Sequence, residues 1–126
     1  MGNWLYFTNE EVEGLDNELV SRLDQARHLA KIPFVITDGL RTPYTNTDPN
    51  AVKDSAHLKG LAVDLRCRDS GSLFLMKRAL YSAGFNRIGI YFRVDPKDST
   101  RLHPTHLHVD IDPDKPQDRE WSTVEL

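Results

Sequence analysis

A single cysteine, Cys67, stands in a chain of 126 residues, which excludes an internal disulfide and any cysteine-based zinc site. It lies in the apolar run after Asp64, where a free thiol serves as a small core hydrophobe. Positive charge is not in excess either. Sixteen Lys and Arg against nineteen Asp and Glu leave a formal charge of −3, so there is no electrostatic footprint for nucleic acid or for an anionic membrane. No apolar run approaches the ~18 residues of a membrane helix. Met1-Gly2-Asn3-Trp4 lacks the basic and apolar regions of a secretory signal, so the expected product is cytoplasmic as synthesised. Internal repeats and low-complexity linkers are absent. Hydrophobic residues at 39% and charged residues at 28% describe a folded globular chain, and the length suits one domain spanning residues 1–126.

The local patterns divide the chain into elements. Thr8-Asn9-Glu10-Glu11 reads as a capping box. Val12, Leu15, Leu19, Leu23, Ala26 and Leu29 follow at helical spacing, and Pro33 stops the helix. His28 falls in its last turn, where a cation suits the helix dipole. Phe34 to Thr37 reads as a short buried strand. Leu40 to Ala56, with Pro43, Asn46, Asp48, Pro49 and Asn50, reads as a long loop of the kind that carries function. Leu61 to Cys67 is expected as a strand, and Ser70 or Ser72 as the cap of a helix ending near Ala83, with Gly84 as its left-handed stop. Arg87 to Val94 and Thr105 to Asp112 are two further strands around a turn at Asp95-Pro96-Lys97-Asp98. From about Pro113 a polar, proline-bearing tail is expected to pack loosely. The last two strands have no helix between them and so pair antiparallel. The sum is an α+β domain, a small mainly antiparallel sheet flanked by helices.

Histidine is scarce and unevenly placed. Three of the five histidines fall within His103-Pro104-Thr105-His106-Leu107-His108-Val109-Asp110, and a fourth, His57, stands seven residues before Asp64 in Ser55-Ala56-His57-Leu58-Lys59-Gly60-Leu61-Ala62-Val63-Asp64. Gly60 allows a turn that folds His57 back toward the strand bearing Asp64. His106, His108 and Asp110 alternate along one strand and share one side, adjacent members about 6.6 Å apart. One of them can therefore ligate a metal while its neighbour reaches water or substrate. Imidazole nitrogen and carboxylate oxygen suit zinc. Three protein ligands with one open position make a catalytic rather than a structural site.

Ser-x-His-x-x-Gly-x-Ala-x-Asp at Ser55 to Asp64 resembles the first signature of the zinc D-Ala-D-Ala carboxypeptidase family. Its relatives include phage L-alanyl-D-glutamate endopeptidases, the D-Ala-D-Ala dipeptidases of vancomycin resistance and the hedgehog signalling domain. The resemblance spans roughly Phe34 to Asp112 and implies the fold of that family, with one Zn2+ held by His57, Asp64 and His108. Thr37-Asp38-Gly39-Leu40-Arg41-Thr42 is similar to the family's Ser-Gly-Tyr-Arg-Ser segment, which gives Arg41 the role of steadying the oxyanion and contacting substrate. Ser55 matches a substrate-contacting serine, although as a loop hydroxyl it is equally suited to a local cap. The endopeptidase and dipeptidase branches carry an acid three residues before the last ligand, where this chain has Thr105. The His-x-x-His-x-His arrangement instead resembles the carboxypeptidase branch and implies His103 as the proton-transfer residue, with His106 as a substrate-facing or supporting helper. A neutral imidazole can serve as such a base. Asp110 is placed to orient His106 or His108, or else to be solvated.

What the resemblance implies is a zinc peptidase acting, as a monomer, on the stem peptide of bacterial peptidoglycan, as a carboxypeptidase or an endopeptidase. The missing signal and wall-binding repeats fit a phage lysis enzyme that reaches the wall after release. The competing expectation is a zinc-containing module that binds wall or protein without cutting, as the hedgehog branch shows. A metal-dependent nuclease finds no support in the acidic charge balance.

Overall fold

The computed structural model describes residues 4–38 and 56–125. Helix α1 (Asn17–Ala30) is followed by β1 (Ile36–Asp38), β2 (Ala62–Arg66), α2 (Ser70–Ser82), β3 (Arg87–Asp95), β4 (Asp98–Asp110) and β5 (Arg119–Glu125). The strands form one five-stranded sheet in the order β1-β2-β4-β3-β5. Every pairing is antiparallel except that of β3 with β5. No described helix is long and apolar enough to cross a membrane. The α+β class and the antiparallel β3–β4 hairpin agree with the sequence reading.

Both helices cover the same face of the sheet. Leu19, Val20, Leu23 and Ala26 of α1 and Met76, Ala79 and Leu80 of α2 share one core with Val63, Leu65, Ile88, Ile90, Leu107 and Val109 of the central strands. Because side chains alternate along a strand, burying Leu107 and Val109 turns His106, His108 and Asp110 to the other face. Cys67 belongs to the core, and burial pushes its thiol up to about 11.

Three boundaries differ from the sequence reading, each for a physical reason. The capping box at Thr8 and Glu11 forms, with the Thr8 amide donating to Glu11 Oε1 at 2.9 Å and the Glu11 amide donating to Thr8 Oγ1 at 3.2 Å. It opens only a short turn, however, because Gly14 adopts φ +79°. Helix α1 starts afresh behind Asp16, whose carboxylate accepts from the Glu18 amide at 2.8 Å. At α2 the cap is Asp69, not a serine, since its carboxylate accepts from the Ser72 amide at 2.7 Å. Strand β4 begins at Asp98, well before Thr105. Pro104 is tolerated within it because a register shift lies just there, between Tyr91 and Phe92 of β3, and a bulge does not need the missing N–H.

The largest correction concerns the tail. Residues 119–125 do not pack loosely; they form β5, paired with β3 from Arg87↔Arg119 to Arg93↔Glu125. Strand β4 ends beside the start of β3, so a short loop suffices to lay β5 parallel to β3 with no helical crossover. Arg-Glu-Trp-Ser-Thr-Val-Glu carries little apolar alternation because an edge strand keeps most of its side chains exposed.

Candidate metal centre

The backbone delivers the first motif as a closed turn. Leu61 N donates to Ala56 O at 2.9 Å and Gly60 N to His57 O at 3.3 Å, which folds His57 back onto β2. Gly60 takes φ +73°, and a Cβ there would lie 2.6 Å from Gly14 O, so this position demands glycine. The Asp16 amide donates to Gly60 O at 2.9 Å, tying the turn to the start of α1. His57 is buried.

Sheet register supplies the rest. Asp64 of β2 lies directly opposite His108 of β4. His57 Nε2 and His108 Nδ1 each stand 3.2 Å from the same oxygen of Asp64, Oδ1, and the two imidazoles meet edge to face with centroids 5.1 Å apart. Ligand atoms of His57, Asp64 and His108 all lie within 4.8 Å of one another, and among the described residues these three form the group able to hold a metal ion. Three protein donors of nitrogen and oxygen leave a position open, the pattern of a catalytic site.

Electrostatics favour a cation here. Burial alone would lower the pKa of His108 and raise that of Asp64. For His108 the hydrogen bonds to Asp110 and Asp64 outweigh burial and raise it to about 9. For Asp64 the contacts with His108 and His57 outweigh burial and hold the carboxyl well below its ordinary range. Both ring nitrogens of His108 thus face carboxylates, Nδ1 at Asp64 and Nε2 at Asp110 Oδ2, 2.7 Å away. A ring so placed holds two protons unless a metal takes one of the two positions. The donor set therefore fits a divalent ion.

Asp110 resolves one alternative left by the sequence: it orients His108, not His106. Its other oxygen, Oδ1, accepts from Arg87 Nε at 2.7 Å and from the Asp112 amide at 3.1 Å. Arg87 in turn lies over the Trp121 ring at 5.2 Å, and Trp121 stands 5.7 Å from the His108 ring. None of Arg87, Gly89 and Trp121 was singled out from sequence, although a glycine inside a strand signals a close approach. Gly89 is opposite both His108 and Trp121, and a Cβ on it would lie 2.5 Å from Trp121 Cε2 and Nε1. Gly89→Ala must therefore lift the indole off the sheet beside His108. The expected cost is roughly 1–3 kcal/mol, as for an overpacked core, with a changed tryptophan emission. Urea unfolding followed by fluorescence checks it, and unchanged stability with unchanged emission would refute the packing argument.

The remaining sequence candidates fall in different places. Arg41 and Ser55 lie outside the described residues, as does the loop from Leu40 up to Ser55. His106 follows the metal group along the same face, two residues from His108 and about 6.6 Å away by the strand rise, with its ring stacked on Tyr91 at 4.3 Å and 12°. His103 is not brought beside the triad. It lies five residues from His108, on the order of 15 Å along the strand, with Nε2 bound to Asp95 Oδ2 at 2.7 Å near the hairpin turn. Asp95 in turn accepts from the Lys97 amide at 2.7 Å. His28 is structural, its Nδ1 lying 2.8 Å from the Tyr6 hydroxyl.

A mixed sheet carrying a His-Asp-His cluster on the face away from its helices is the framework of a mononuclear metal centre. The family model of Peptidase M15 matches residues 5–97, and the chain belongs to that family. It is a zinc metallopeptidase, since the members of this family depend on zinc. The matched span includes His57 and Asp64 and ends before His108, which the sheet register brings to them. No curated protein matches the chain.

Proposed function

We propose that the protein hydrolyses a peptide bond in the stem peptide of bacterial peptidoglycan, as a carboxypeptidase or endopeptidase, with zinc held by His57, Asp64 and His108. The observation carrying this reading is the convergence of two imidazole nitrogens on one Asp64 oxygen, 3.2 Å from each, on a sheet face that His106 also lines. When bound, zinc supplies a Lewis acid that polarises a carbonyl and acidifies water.

The chain's own residues supply the remainder. Asp110 fixes His108 so that Nδ1 faces Asp64. His106, nearer the cluster than His103, takes the proton from the attacking water and returns it to the leaving amine as the C–N bond breaks. Arg41 donates to the oxyanion and Ser55 to the bound peptide, roles that rest on the family resemblance. The proposal extends to a phage-type lysis enzyme that works as a monomer and meets the wall after release from the cell that makes it.

Digestion of purified peptidoglycan by the zinc-loaded protein, followed by mass spectrometry, tests the reading. Loss of a terminal D-alanine identifies a carboxypeptidase, and a stem peptide cut internally identifies an endopeptidase. His106→Asn should keep zinc and lose turnover by roughly 10²- to 10⁴-fold, whereas His103→Asn should retain most activity. Wall binding without any released peptide would replace the enzyme by a binding module.

A further inference from the structure

Strand β5 brings a carboxylate to the metal-bearing face that the local sequence around the histidines does not contain. Residues 121, 123 and 125 alternate onto one face, and Trp121 marks it as the face of His108. The last of them, Glu125, places Oε1 3.1 Å from the Thr105 hydroxyl. That hydroxyl lies 3.1 Å from His106 Nδ1 and 3.2 Å from the Tyr91 carbonyl oxygen. Glu125 Oε1 itself is 3.9 Å from His106 Nδ1, beyond direct hydrogen-bond reach.

We infer that Glu125 is a positioning residue for His106, acting through the Thr105 hydroxyl to fix the tautomer in which Nδ1 carries the proton. The inference rests on the reading of His106 as the proton-handling group. The proton count decides the direction. A hydroxyl has one proton to give, and both Glu125 and Tyr91 O can only accept. The carboxylate makes the stronger, charge-assisted bond. With the Thr105 proton committed there, the contact between Oγ1 and Nδ1 needs its proton from the imidazole. His106 Nδ1–H therefore donates to Thr105, Thr105 donates to Glu125, and Nε2 keeps its lone pair. Stacking on Tyr91 at 4.3 Å holds the ring plane. An imidazole fixed by an outer carboxylate with its second nitrogen bare is the arrangement a base requires. Thr105 is thus a relay, and the strand that closes the sheet completes the site.

Ring nitrogen correlation spectra of the full-length, zinc-loaded, 15N-labelled protein test the tautomer directly, and steady-state rates on purified stem peptides test its use. The expected spectrum shows Nδ1–H at His106. Thr105→Val should shift the ring toward Nε2–H, and Glu125→Ala, which frees the Thr105 proton to go either to Tyr91 O or to Nδ1, should give a mixture of the two tautomers. Each should lower kcat roughly ten- to a hundred-fold, leaving KM within about twofold and zinc content unchanged. Glu125→Gln retains an acceptor oxygen and should restore both tautomer and most of kcat. A Nδ1–H ring unchanged in Glu125→Ala overturns the inference, whatever the rate does. A switched tautomer with unchanged kcat upholds the positioning and instead overturns the role of His106.

Discussion

Replacing His108 with alanine should strip the protein of zinc and reduce hydrolysis to background, and His57→Ala should do the same. Each change removes one of the three proposed ligands, whose donor atoms lie within 4.8 Å of each other, leaving two where a stable catalytic site needs three. His103→Asn and His106→Asn should load zinc normally. Metal analysis after dialysis against a weak chelator measures the difference. Retention of stoichiometric zinc by His108→Ala would break the assignment. The same site predicts a pH dependence of binding. In the metal-free protein His108 is raised to about 9, so at pH 7 its ring holds an extra proton that zinc must displace from Nδ1. Zinc affinity should therefore rise about tenfold per pH unit between pH 7 and 9 and level off above. The metal-free fold runs the other way. A folded pKa above the unfolded value near 6.5 contributes stability that is fully present below pH 6.5 and lost as pH climbs through 9. Titration calorimetry in two buffers of different ionisation enthalpy should detect about one proton released at pH 7. Release of none would contradict the paired-carboxylate description of His108.

Asp110→Ala should be the most destabilising single change at the site. Asp110 is 1% exposed and bridges Arg87 and His108 at 2.7 Å each. Burial tends to raise its carboxyl pKa, but the His108 and Arg87 contacts hold it below the ordinary value. Arg87, itself a buried residue at 9% exposure, then loses its carboxylate, at a cost of about 3–5 kcal/mol for a broken buried pair. His108 also loses the group that orients it, which costs roughly 10- to 100-fold in metal affinity. The double variant Arg87→Met, Asp110→Leu should recover much of the stability, because no buried charge is left alone, while zinc binding stays weak. Urea unfolding of the metal-free proteins and competition with a chelating dye separate the two effects. If Asp110→Ala binds zinc as tightly as the parent, Asp110 does not orient the ligand.

The residues closest together in sequence were the most legible. His57, Gly60 and Asp64 sit within one turn and one strand, so the left-handed glycine and the alternation of β2 place them by local geometry alone. The α+β class and the β3–β4 hairpin followed from period and turn signals in the same way. The break before α1 was missed because Val12 and Leu15 continue the helical spacing that Gly14 interrupts. The family resemblance pointed to His103 for proton transfer and to His106 as a helper, and only the bulge at Pro104 and the pairing with β3 set the first beside Asp95 and the second beside Tyr91.

The chain alone limited the metal chemistry: a single cysteine leaves no sulfur set, imidazole and carboxylate are the donors on offer, and the resemblance of Ser55 to Asp64 to a zinc-peptidase signature points to two of them. Tertiary structure decided their company. Opposing Asp64 to His108 is a matter of strand register across 44 residues, and Arg87, Trp121 and Glu125 reach the site only because β3 and β5 lie alongside β4. Register is fixed by which side chains bury against the helices, here Val63, Leu65, Leu107 and Val109. That is a property of the packed core, and no local motif carries it.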